Sequence, residues 1–256
     1  MQTGAAPPDD LRPAEEVTLA GSAGPMRVHL HRPGGTPRGT AIIAHGRNGA
    51  ADAPHMVPLI AAAVARGLTV IAPDLCHSAH NLSAGTAETF TMADHYADLA
   101  TVADYAVDAA PGGAARILVG HSMGGYAVVR LAADGHRWGP TGVVAVSPVI
   151  SGAALIAARE AQGPEAVAML RRELPRALDE WPAHDALAVA GAVRVPSAVI
   201  VGVDDTVTPP AHAAALAAAL GRCVWHDVVM GEHHCPLGPG YAASTGTAFD
   251  RILEAG

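Results

Sequence analysis

Val119-Gly120-His121-Ser122-Met123-Gly124-Gly125 joins a strand-like run to a helix-like run, and this junction sets the fold. The run before it, Arg116–Val119, is short, apolar and rich in branched residues, as a strand buried on both faces would be. Gly124–Ala133, after it, has helical composition. A serine at such a sharp turn takes strained backbone angles and lies within van der Waals reach of its neighbours. Small residues two positions to either side are then a steric requirement, which Gly120 and Gly124 meet. The helix N-terminus behind the serine offers unpaired amides to a developing oxyanion. The junction therefore predicts a nucleophile at Ser122.

Outward from it the same alternation repeats. Thr40–Ala44, Leu68–Ala72, Gly142–Val146 and Ser197–Val201 read as further buried strands, and Val224–Met230 as a last one. Glu16–Leu19 and Met26–His31 alternate enough to form a hairpin across the turn at Gly21–Pro25. Helical stretches fall between them: Met56–Arg66, Thr91–Ala109, Ala211–Leu220 and Ala242–Leu253. Strand, helix, strand, helix from end to end predicts an α/β domain with a mostly parallel central sheet flanked by helices. Neither repeat nor linker interrupts it, so one domain is expected over 1–256, with a loose N-terminus over about 1–14. From Ile150 to Val195 roughly 46 residues separate two strands, far more than one crossover helix needs. The segment is helical in pattern (Ala153–Glu160, Glu165–Arg172, Ala186–Ala190) and reads equally as a surface excursion or as a small cap over a site.

Composition removes whole classes of chemistry. The 256 residues carry 24 acidic and 16 basic side chains, for a formal charge of −8, and all the basic ones are arginine. Without lysine there is no Schiff-base chemistry and no phosphate-loop lysine. A net-negative chain without basic runs is poorly suited to nucleic acid, whose affinity comes from cationic contacts to phosphate. No apolar stretch approaches the ~20 residues of a membrane span, and Met1–Pro13 lacks the basic and apolar regions of a signal peptide. Three cysteines, Cys76, Cys223 and Cys235, make an odd number without C-x-x-C spacing, which speaks against a disulfide framework or a zinc knuckle. A cytoplasmic protein is the expectation.

A serine nucleophile needs a base, and the base an orienting acid. Ser197–Val201 runs into Gly202-Val203-Asp204-Asp205-Thr206-Val207-Thr208-Pro209, and Val224–Met230 into Gly231-Glu232-His233-His234-Cys235-Pro236. Both clusters lie at C-terminal strand ends, where open α/β sheets build their sites. Alone, such an aspartate is an ordinary helix cap and such a histidine an ordinary loop residue. Three polar strand ends in the order serine, acid, histidine make a catalytic set.

With these motifs, together with His45-Gly46 and Pro73-Asp74 after the earlier strands, the chain resembles the α/β-hydrolase superfamily. It is most similar to monoacylglycerol-lipase-like and serine-aminopeptidase-like esterases, from about Val17 to the C-terminus. The resemblance implies that the acid stands three residues after its glycine, which selects Asp205 over Asp204. The histidine likewise stands three after Gly231, which selects His234 over His233. It also implies an oxyanion hole made by the backbone N–H groups of Arg47 and Met123, with His45 bracing the loop. No cofactor or metal is implied, and the partner is a small-molecule ester.

Two departures from the family pattern stand out. Arg47 and Asn48 replace the small or apolar residues common there. The Arg47 guanidinium is expected to point to solvent or pair with an acid of the 150–195 segment, rather than grip a substrate carboxylate. After Asp74 the usual glycine-rich turn is replaced by Leu75-Cys76-His77-Ser78-Ala79-His80-Asn81, which predicts a different wall for the acyl pocket. His77 and His80 have metal-ligand spacing but no third partner. Cys235 is expected to pack, and Asp94, Asp98, Asp104 and Asp108 to form a solvated helix face. The function expected is ester hydrolysis through Ser122, His234 and Asp205. An aminopeptidase, an acyltransferase or perhydrolase on the same residues, and a non-catalytic ligand receptor on the same fold are the alternatives.

Overall fold

The computed structural model describes residue 13 and residues 15–109 and 114–256. The loose stretch expected over 1–14 therefore lies outside the described residues, apart from Pro13. Eight strands form one sheet: β1 (Glu15–Gly21), β2 (Gly24–His31), β3 (Gly39–Ala44), β4 (Leu68–Pro73), β5 (Ala115–His121), β6 (Gly142–Val146), β7 (Ser197–Gly202) and β8 (Cys223–Val229). Their order is β1-β2-β4-β3-β5-β6-β7-β8. β2 runs antiparallel to both β1 and β4, and every other pairing is parallel.

Every residue of β3, β4, β6 and β7 is buried, which explains why their sequences are continuous apolar runs rather than alternating ones. Edge strand β1 alternates between exposed and half-buried positions. Successive residues feed opposite layers. Ile42 and Ala44 join the core with Leu99 and Val102 of α2 (Met92–Ala109) and Ala127 and Leu131 of α3 (Met123–Ala133). Ala41 and Ile43 join the other, with Leu59 and Ala63 of α1 (Val57–Ala65) and Phe249 and Ile252 of α9 (Pro239–Ala255).

The chain changes direction of winding at β3, with β4 on one side and β5 on the other. Loops leaving β3 and β5 thus diverge at their C-terminal ends and open a crevice there, which is where ligands bind in such sheets. Residues Arg47 and Ser122 follow those two strands.

The 150–195 segment folds as α4 (Gly152–Ala161), α5 (Pro164–Glu173), α6 (Ala177–Glu180), a 3-10 turn (Trp181–Ala183) and α7 (Leu187–Ala190), before α8 (Pro210–Ala219) completes the set. Ser151 starts α4 by accepting the Ala154 amide at 3.0 Å. The segment is anchored at its far end as well. The Glu180 carboxylate accepts the amides of Met92 at 3.2 Å and Ala93 at 3.0 Å, placing negative charge at the N-terminus of α2. Glu180 also pairs with His184, whose Nδ1 lies 2.8 Å from the Tyr126 hydroxyl of α3. No helix among the described residues is long and apolar enough to cross a membrane.

Asp98 departs from the expected solvated face. It is fully buried, and its two oxygens accept the Ser22 amide at 2.6 Å and the Cys76 amide at 2.9 Å. One buried carboxylate thereby fastens both the β1–β2 turn and the loop after β4 to α2, a long-range task that local spacing does not reveal.

Candidate active site

Ser122 stands between β5 and α3 with φ 55° and ψ −116°, a region that non-glycine residues rarely occupy. Its amide donates to the Val146 carbonyl at 2.9 Å, and its own carbonyl accepts the Val149 amide at 3.0 Å and the Tyr126 amide at 3.2 Å. The turn is thus pinned from both β6 and α3. A Cβ on Gly120 would lie 2.2 Å from the Gly124 carbonyl oxygen, and one on Gly124 2.3 Å from that of Ala44. The steric demand read from the sequence is real.

His234 Nε2 lies 3.0 Å from Ser122 Oγ. On its other side Nδ1 lies 2.9 Å from Asp205 Oδ2 and 3.2 Å from Oδ1. An ionised carboxylate only accepts, so the proton of a neutral His234 sits on Nδ1 and leaves Nε2 as the acceptor for the serine hydroxyl. Asp205 is buried, and Oδ1 also accepts the Val207 amide at 2.9 Å and the Thr208 amide at 2.8 Å. Burial pushes its carboxyl pKa up, but the His234 hydrogen bond and charge and the Thr208 amide outweigh it and hold the group at about 2. Asp204 and His233, the neighbours in sequence, are exposed.

The acid and histidine loops lie directly against each other. A Cβ on Gly202 would sit 2.2 Å from the Glu232 carbonyl oxygen, which accepts the Asp204 amide at 3.0 Å. The Glu232 carboxylate accepts the Leu237 amide at 2.9 Å and the Gly238 amide at 2.6 Å, closing the turn that carries His234.

The loop after β3 is held equally firmly. His45 is buried; Nδ1 donates to the Gly46 carbonyl at 2.7 Å and Nε2 accepts the Leu75 amide at 2.9 Å. Asp74 Oδ1 accepts the Ala51 amide at 2.8 Å, tying the end of that loop to β4. Among the described residues no acceptor is bonded to the Arg47 amide, and Met123 is the first residue of α3, where an amide has no intrahelical acceptor.

A cleft of about 560 Å³ opens over Ser122 and His234, with Arg47, Met123, Thr206 and Val207 around them. Its outer wall is Leu155, Ala158, Arg159 and Gln162 of α4, Leu170 of α5 and Trp181. The segment read either as a surface excursion or as a cap therefore lines the cleft. Arg47 is half-buried and lines this cleft, near enough to Glu173 of the 150–195 segment to feel its charge. One expectation is corrected here. The loop from Leu75 to Asn81 contributes nothing to the cleft. Its hydrogen bonds to Asp98 and His45 draw it to the other side of the β3 loop, where His80 and Asn81 line a separate hollow of about 310 Å³.

His77 and His80 form no cluster with a third ligand among the described residues; His77 Nδ1 lies 2.7 Å from Thr89 Oγ1. The group with metal-ligand character is His55, His121 and Cys235, each offering one atom within 4.8 Å of the others. Cys235 is exposed there rather than packed, and the His121 Nε2 donates to the His234 carbonyl at 2.7 Å. No local motif marks this set, because its members come from the turn before α1, the end of β5 and the loop after β8.

Buried imidazoles near the β3 loop make stability pH-dependent. Burial pushes His95 down to about 3 and pushes His45 down as well. An unfolded histidine titrates near ~6.5, so below that pH the unfolded chain holds protons the folded one refuses. Stability is then full above pH ~6.5 and lost as pH falls, by about 1.4 kcal/mol per pH unit for His95, with His45 acting in the same direction. Urea midpoints should stay level from about pH 7.5 to about 6.5 and fall from there to about 4.5, and a flat profile throughout would contradict the assignment of neutral buried histidines.

A family model described as serine aminopeptidase, S33, matches residues 35–183, more than half of the chain. No curated protein matches it. Among solved structures, Est1E from Butyrivibrio proteoclasticus with bound ferulic acid is similar with a TM-score of 0.78 and 20% identity, over 93% of this chain and 98% of that one. The Pyrococcus furiosus esterase Pf2001 is similar with a TM-score of 0.73 and 19% identity, over 99% and 95%. XC6422 from Xanthomonas campestris, described as an α/β serine hydrolase without a lid, has a TM-score of 0.67 and 19% identity, over 98% and 97%. These likenesses agree with the observed fold, and the family match places the chain in the serine aminopeptidase S33 family of α/β hydrolases.

Proposed function

We propose that the chain is a single-domain carboxylesterase that works through an acyl-enzyme on Ser122, with the 150–195 segment as a small cap over the site. The observation that carries this is the continuous line of contacts from Asp205 through His234 to Ser122 Oγ, at 2.9 Å and 3.0 Å. His234 Nε2 takes the hydroxyl proton as Oγ attacks the ester carbonyl. The Arg47 and Met123 amides hold the resulting oxyanion. Asp205 keeps the imidazole in the required tautomer and stabilises the imidazolium, which then protonates the departing alcohol. Water, deprotonated by the same nitrogen, releases the acid. No cofactor enters these steps.

The family description names an aminopeptidase, a reaction that calls for a carboxylate to hold the substrate's free ammonium group. Among the described residues lining the cleft there is no aspartate or glutamate, which favours the ester reading. The test is a side-by-side assay of p-nitrophenyl esters of increasing acyl length and of alanine p-nitroanilide, each with and without EDTA. Ester turnover with a defined length optimum, unaffected by chelator, is expected. Anilide cleavage exceeding ester cleavage would overturn the reading.

A further inference from the structure

The charge of the cleft runs against the charge of the protein. The chain as a whole has 24 acidic and 16 basic residues, yet among its described lining the cleft has two arginines and no carboxylate. Arg47 is half-buried, with neither a hydrogen bond nor an ion pair from its guanidinium to any described residue. Burial pushes its pKa down, Glu173 opposes this, and Arg159 adds to it by repulsion. A guanidinium nevertheless stays charged in proteins, and withdrawing it from water without a partner costs free energy that an anionic ligand would recover. Arg159 is half-buried beside it, and among the described residues its guanidinium makes one hydrogen bond, from Nη1 to Gln162 Oε1 at 3.3 Å. The same wall holds a buried donor without an acceptor among the described residues: Trp181 is 4% exposed and its indole N–H is unpaired there. The same lining includes the apolar side chains of Val149, Leu155 and Leu170.

We propose that the cleft selects esters carrying a carboxylate at the far end of an apolar spacer, held by Arg47 and Arg159. The planar guanidinium fork matches a carboxylate with two parallel hydrogen bonds. Distance along the cleft then sets the spacer, because the reacting carbonyl must reach Ser122 while the carboxylate reaches the arginines. Arg47 serves twice, through its amide at the oxyanion and through its side chain at the distal anion. The proposal rests on the esterase reading, and the experiment separates the two.

Two esters with the same six-carbon acyl chain are compared: p-nitrophenyl hexanoate and the mono-p-nitrophenyl ester of adipic acid. The quantity read is the ratio of kcat/KM, adipate ester over hexanoate ester, in which any general loss cancels. Wild type should prefer the adipate ester at least about tenfold, and Arg47→Ala should lower the ratio about ten- to a hundredfold, the worth of a charge-assisted hydrogen bond. Arg159→Ala, on a helix surface, should lower it in the same direction and covers the case in which Arg47→Ala fails to fold. A wild-type ratio of one or below, or a ratio unchanged in both variants, would overturn the proposal. Calorimetry with the adipate dianion and with hexanoate on Ser122→Ala protein gives a readout that needs no turnover. Adipate binding that disappears in the Ser122→Ala/Arg47→Ala protein, with neither ester cleaved by wild type, would leave the anion site standing and remove the esterase reading. Inorganic phosphate binding as tightly as adipate would contradict the carboxylate assignment.

Discussion

Ser122→Ala is expected to lower kcat/KM on a p-nitrophenyl ester by about 10⁴- to 10⁶-fold without unfolding the protein. The change removes one oxygen at the tip of a turn whose geometry comes from elsewhere. The amide and carbonyl of residue 122 are held by Val146, Val149 and Tyr126, and an alanine at φ 55° is no more strained than the serine it replaces. On the proposed mechanism His234 loses the group whose proton it takes, while its 2.9 Å contact with Asp205 remains. Circular dichroism should match wild type. Turnover within tenfold of wild type would mean that the nucleophile lies elsewhere in the cleft.

The second large effect separates neighbours. Asp205→Asn should cost about 10³- to 10⁴-fold in kcat, since an amide facing His234 Nδ1 allows the wrong tautomer. Asp204→Asn, on an exposed side chain, should stay within about threefold of wild type. His234→Ala should match the loss in Ser122→Ala, whereas His233→Ala should remain close to wild type. In each pair the contrast follows from burial and contact: Asp205 receives the amides of Val207 and Thr208 as well as His234, and the Asp204 carboxylate receives none of these. A reversed order in either pair would show that the contacts seen here are not those used in turnover.

Much of this arrangement was legible because it rests on local sterics. Residues 120 and 124 must be small for the Ser122 turn to form, and the buried strands must be apolar on both faces, so each leaves a pattern within a few residues. What remained hidden depends on partners far away in the chain. Asp98 looks like a surface helix residue until Ser22 and Cys76 are seen to converge on it. Arg47 reads as facing solvent or pairing with an acid of the 150–195 segment because nothing near it in sequence announces that it shares a cleft with Arg159 and Leu170. The same holds for Glu180, whose carboxylate closes the N-terminus of α2 from 88 residues away. The loop from Leu75 to Asn81 lacks a glycine-rich turn in its sequence, but its course is decided by hydrogen bonds to His45 and Asp98 that spacing alone cannot supply.

Labelling with a fluorophosphonate followed by peptide mass spectrometry tests the role of Ser122 most directly, since phosphonylation requires a nucleophile activated by its base and an oxyanion site to accept the charge. One adduct per chain is expected, on Ser122, formed in proportion to loss of ester turnover and absent from His234→Ala protein. A fully active enzyme that takes no label, or a label that inactivates it from a residue other than Ser122, would contradict the assignment.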